Sequence, residues 1–143
     1  MPEGKTGSTT LSKEERAAVK DRARELKEQK TKADGVAAVD AAIKALPADD
    51  RAITSKIHEI VMDVAPDLAP KTYYGMPGWA RDGRIVCFVQ PASKFGTRYS
   101  TLGFEQPAKL DDGSMWATAF AVLAIGAAEE KKIRELVKKA TSA

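Results

Sequence analysis

The sequence predicts an α+β domain: an antiparallel sheet with helices packed on one face. Three observations carry this. Apolar residues recur at helical spacing over 36–46 and again over 53–64. The period then shortens to two around a hairpin signal at Asp82-Gly83 and a β-branched run from Ile85 to Val89. A last helical stripe, Ile133, Leu136, Val137 and Ala140, follows Gly126. Strands grouped between helices, rather than alternating with them, indicate α+β.

Residues 1–10 carry Gly4, Gly7 and Ser8-Thr9-Thr10 and read as a mobile tail. Ser12 and Glu15 have the spacing of a capping box. They open a segment of good helix formers running to Lys32. Its apolar stripe is only Val19, Ala23 and Leu26, which predicts a mostly solvated, loosely attached helix. Asp34-Gly35 is expected to end it. Val36, Val39, Ile43 and Leu46 form the second helix, and Pro47 stops it. Asp49 and Asp50 then sit in a first turn, where the helix dipole favours acids. Ile53, Ile57, Ile60, Val61 and Val64 form the core stripe of the third helix, ended by Pro66 and Pro70.

In the β region, Gly78-Trp79-Ala80 precedes the Asp82-Gly83 turn, and Pro91 to Thr97 reads as a loop. Arg98 to Phe104 alternates well enough for a strand. Met115 to Ile125 is Ala-rich, yet Trp116, Thr118, Phe120 and Val122 alternate, so it is read as a strand as well. The chain divides into a tail plus charged helix, 1–35, and one domain, 36–143.

The 143 residues are 43% hydrophobic and 30% charged, enough apolar material for a core. The net charge of +3 lies in 13–32, where eight basic residues face five acidic ones; 33–143 is balanced. That argues against a basic nucleic-acid face across the domain. One cysteine, Cys87, forbids an intrachain disulfide. With a polar N-terminus and no long apolar run, the expectation is a soluble cytoplasmic protein without a membrane partner.

The common catalytic signatures are missing, so no enzyme activity is expected. His58-Glu59 begins a helical zinc motif, but Met62 stands where the second histidine belongs. As the sole histidine, His58 is read as a boundary or surface residue. Cys87, mid-strand between Val86 and Phe88, is read as a structural core thiol. Gly75-Met76-Pro77-Gly78 has the bare spacing of a KH loop but the wrong flanks, and neither a Walker nor a dinucleotide glycine motif occurs.

Two residue sets remain. Tyr73, Tyr74, Met76, Trp79, Lys94, Arg98 and Tyr99 mix aromatic walls with cations and would suit a small anionic or planar ligand. Alternatively, Trp79 and Tyr99 are packing rings whose polar tips reach water. The second set is acidic: Asp49, Asp50, Glu59, Asp63, Asp67, Asp111 and Asp112. Glu59 and Asp63, at i,i+4 on one helix face, are the candidate metal pair for iron or another divalent ion, against the alternative of a solvated face.

Tyr73-Tyr74-Gly75-Met76-Pro77-Gly78-Trp79, with Asp82-Gly83, Phe88, Lys94 and Tyr99, resembles the YdhG-like family, a bacterial domain of unknown function. The resemblance covers about residues 40–141. It implies a frataxin-like or YdhG-like fold and a strand over Met115 to Val122. Some members are described as intracellular iron chaperones, which makes iron binding one implied function. The other readings are a ligand pocket around Trp79, Lys94 and Tyr99, and an interaction module built on the basic helix. The oligomeric state is not legible.

Overall fold

The computed structural model describes residues 11–142; the expected tail, 1–10, lies outside them. The described elements are α1 (Lys13–Glu28), α2 (Lys32–Lys44), α3 (Ala48–Val64), β1 (Ala69–Tyr73), β2 (Met76–Arg81), β3 (Arg84–Gln90), a single turn α4 (Ala92–Phe95), β4 (Ser100–Phe104), β5 (Ala119–Val122) and α5 (Ala127–Ala140). The chain is α+β, as expected. Its five strands pair antiparallel in sequence order, β1 to β5.

Cross-strand pairing fixes which residues share a face. Trp79 stands opposite Cys87 and Cys87 opposite Phe104; Val89 faces Leu102, and Leu102 faces Phe120. The register shifts between Trp79 and Ala80, leaving Val86 without a partner on β2. This bulge lets Val86 and its neighbour Cys87 enter the same core. Ile53, Ile57, Ile60 and Val61 of α3, with Ile133, Val137 and Ala140 of α5, complete that core. α2 lies against β1 and buries Val39 and Ile43.

Both two-residue hairpin turns have positive φ at each position. They are Tyr74-Gly75 (54° and 79°) and Asp82-Gly83 (52° and 78°). That is the backbone matched to right-handed strand twist. The second turn is legible as D-G. The first is not, because tyrosine is a rare left-handed residue.

Four expectations are corrected. The first helix ends at Glu28, and α2 begins at Lys32, with Thr31 and Asp34 forming its capping box. Asp34-Gly35 therefore lies inside a helix and does not break it. Glycine is there for proximity: a Cβ on Gly35 would stand 2.2 Å from the Pro70 carbonyl oxygen. The boundary drawn at residue 35 thus cuts through α2.

Second, α1 is mostly solvated, as expected, but apart from buried Ala18 its inward face is polar rather than the stripe of Val19, Ala23 and Leu26. Glu25 is buried, while Val19 and Leu26 of the expected apolar stripe are 50% and 66% exposed. Third, residues 69–73 form a strand that the sequence reading lacks. Pro70 is tolerated because β1 is an edge strand.

Fourth, the strand expected over Met115 to Ile125 shrinks to Ala119–Val122. Its partner β4 ends at Phe104, whose N–H reaches the Thr118 carbonyl. The next residue, Glu105, donates instead to Val86 on β3. Residues before Thr118 therefore have no ladder to join, and Met115 is 88% exposed.

Candidate functional site

The seven-residue aromatic and cationic set does not form one pocket. The Tyr74-Gly75 turn and Lys94 come together beneath α1, Lys94 lying beside Gly75. Glu25 accepts hydrogen bonds from the backbone N–H groups of Tyr74 and Gly75, both at 2.8 Å. Lys94 Nζ pairs with Asp21 at 3.4 Å. The Arg22 guanidinium lies 5.2 Å from the Tyr73 ring centroid and 5.7 Å from that of Tyr74. Burial, with Glu105 close by, pushes the Tyr73 hydroxyl above its ordinary pKa. One residue past α1, the Gln29 amide serves the edge of β1 as a strand would. Its oxygen accepts from Thr72 N at 2.8 Å, and its nitrogen donates to Thr72 O at 3.2 Å.

Met76 and Trp79 are buried, so neither can line a solvent-open pocket. Trp79 is fully enclosed and donates its indole N–H to His58 Nδ1 at 3.1 Å. The two rings stack with centroids 5.9 Å apart. His58 is a boundary residue, as expected, with its side chain 25% exposed. Its Nε2 lies 4.0 Å from Asp40 of α2. Burial holds its pKa below the ordinary value, and Asp40 opposes that shift. Trp79 is thus a packing ring, but its polar tip finds a histidine rather than water.

Cys87 is buried in the core, and that burial pushes its thiol up to about 12, as suits a structural residue. Asp50, buried in the first turn of α3, accepts from the backbone and the hydroxyl of Ser93 and so fixes α4.

The metal pair is already engaged with cations. Asp63 meets Arg134 of α5 at 2.6 Å, and Glu59 meets Lys56 at 3.4 Å. Glu130 bridges Lys56 at 3.2 Å and Arg134 at 3.0 Å. The hydrogen bond from Arg134 holds the Glu130 carboxyl below its usual range. The i,i+4 acid face turns toward a basic helix, and the result is an ion network joining α3 to α5. Among the described residues, no three His, Cys, Asp or Glu side chains converge on a metal position.

Tyr99 and Arg98 lie elsewhere, at a cleft of about 700 Å³ between β5 and α5. Its apolar walls include Leu102, Phe120, Val122, Ile133 and Leu136. Arg98, stacked 5.2 Å from the Tyr99 ring centroid, and Lys132 supply cations at the same cleft. Among the described residues neither takes part in an ion pair. The one acid of the lining, Glu129, is used locally, accepting from Gly126 N at 2.8 Å. Sequence reasoning reached Arg98 and Tyr99 but missed the α5 wall. The available signal was the alternation of Phe120 and Val122 beside the stripe of Ile133 and Leu136.

Compared with known protein families, with curated proteins and with solved structures, the chain gives no match. What can be said of its class is that it is an α+β domain with a five-stranded antiparallel sheet and, among the described residues, no helix long and apolar enough to cross a membrane.

Proposed function

We propose that this chain is a non-catalytic binding domain for a small amphipathic anion, an acyl or aryl carboxylate, held in the β5–α5 cleft. One observation carries the reading: two cations outside any described ion pair, Arg98 and Lys132, border a cleft whose walls are mostly apolar and whose one acid, Glu129, is taken up by the Gly126 N–H. The apolar walls favour a hydrocarbon body through burial, and the cations select a negative head. The volume falls in the range of ordinary small-molecule sites. This moves the ligand-pocket reading from Trp79 and Lys94 to the side of Tyr99.

Iron carriage, which the YdhG-like resemblance implies, stands behind this reading. A metal ion at Glu59 and Asp63 would have to displace Lys56 and Arg134. The YdhG-like resemblance itself belongs to the proposal, supported only by the α+β order and the antiparallel sheet.

Calorimetry with decanoate and decanol tests the reading. Decanoate is expected to bind with Kd on the order of 10–100 µM, the scale for a ligand of that size. Decanol should bind at least about tenfold more weakly, as should decanoate to Arg98→Ala/Lys132→Ala, since each loses charge-assisted bonds. Absence of heat at millimolar decanoate, or equal affinity in the double variant, rejects it.

A further inference from the structure

The contact between α1 and the Tyr74-Gly75 turn has the form of a ligand in a binding site. In α1 two of the five acids, Asp21 and Glu25, face inward, and most of the bases face outward. Asp21 and Glu25, at i,i+4, meet Lys94 and the turn, while Arg16, Lys20, Arg24 and Lys27 are exposed. The outward face also carries Val19 and Leu26. A helix held by packing would show the reverse arrangement.

The receiving surface is built for a carboxylate. Two successive backbone N–H groups in left-handed conformation converge on one Glu25 side chain that is only 5% exposed. Consecutive N–H groups of this kind form an anion-binding concavity. Tyr74 holds φ +54°, which a bulky side chain rarely adopts. Lys94 stands beside the turn, its Nζ 3.1 Å from where a Cβ on Gly75 would lie. That close approach, and the positive φ, make glycine the fitting residue at 75.

We infer that the Tyr74-Gly75 turn, with Lys94, is a binding site for an acidic helix face, carboxylates at i,i+4, and that α1 occupies it in cis. Apart from buried Ala18 and the stacking of Arg22 on Tyr73 and Tyr74, the contacts that hold α1 are polar and exchangeable for water, and the three residues Gln29–Thr31 separate it from α2. A partner that engages the outward apolar and basic face of α1 would lift Glu25 from the turn and free the site. This inference does not depend on the β5–α5 cleft.

The test uses the full chain carrying Glu25→Ala, with hydrogen exchange of the Tyr74 and Gly75 amides read by magnetic resonance. Exchange at both amides should rise at least about tenfold while core strand amides stay unchanged. A synthetic peptide copying residues 11–30 should restore protection, and the same peptide with Glu25→Ala should not. Glu25→Met in the full chain, which keeps the side-chain length and removes both acceptor oxygens, gives the same readout should the alanine variant not fold. Unchanged exchange in both variants overturns the site. Failure of the peptide at millimolar concentration, or equal restoration by acetate, overturns the acidic-helix class.

Discussion

Trp79 owes its place in the core to one nitrogen. A buried indole N–H without an acceptor costs about 1–3 kcal/mol, and His58 Nδ1 is the acceptor. Nδ1 can accept only while it carries no proton, so the neutral ring with its proton on Nε2 is the form that fits. Burial lowers the folded-state pKa of His58 below its ordinary 6.5. The unfolded chain therefore binds the proton first as pH falls. The contribution of the pair is fully present above about pH 6.5 and is lost as pH drops below it, toward the folded pKa. Thermal unfolding at pH 7.5 and 5.5 checks this. Wild type should lose stability over that interval, and His58→Gln, which keeps an acceptor but cannot titrate, should lose less. Equal losses would place the acid sensitivity elsewhere. Cys87 gives a second residue-scale prediction. With its thiol buried and pushed up to about 12, maleimide labelling at pH 8 should wait for unfolding. Rapid labelling of the native protein would show that the strand opens locally.

Among the elements, those with strong apolar periodicity were legible and those held by polar contacts were not. α3 and α5 follow their stripes, and the Asp82-Gly83 hairpin follows its turn chemistry. α1 is mostly solvated, as its thin apolar stripe predicts, but its attachment runs through Glu25, Asp21 and Gln29, residues that sequence reading assigns to solvent. The Gly35 error has a different cause. Glycine signals both a break and a close approach, and only the packed neighbour Pro70 distinguishes them. Gly35→Ala is accordingly expected to destabilise the domain by about 1–3 kcal/mol through overpacking, although alanine is the better helix former. Urea unfolding with an unchanged m-value would read this; a gain in stability would mean that α2 and β1 are not in close contact.

At the scale of the molecule, the two proposed sites lie at opposite edges of the sheet. β1, with the neighbouring turn and α1, forms the carboxylate corner, while β5 forms one wall of the apolar cleft. Candidate site residues chosen from sequence fell on both edges and in the core between them. Aromatic and cationic residue types alone do not show which side of a sheet they share. Only register, with Trp79 opposite Cys87 and Leu102 opposite Phe120, sorts them into packing and lining roles. The acidic pair was legible as a helix face, but its partner Arg134 lies 71 residues away from Asp63 and could not be paired from spacing.

The claim that most needs testing is the ligand cleft. Nitrogen–proton correlation spectra of the labelled full chain, recorded during decanoate titration, test it directly. The expected result is saturable shifts concentrated on Leu102, Phe120, Val122, Lys132 and Leu136, and absent from the same titration of Arg98→Ala/Lys132→Ala. Shifts centred away from β5 and α5, or none at millimolar decanoate, would contradict it.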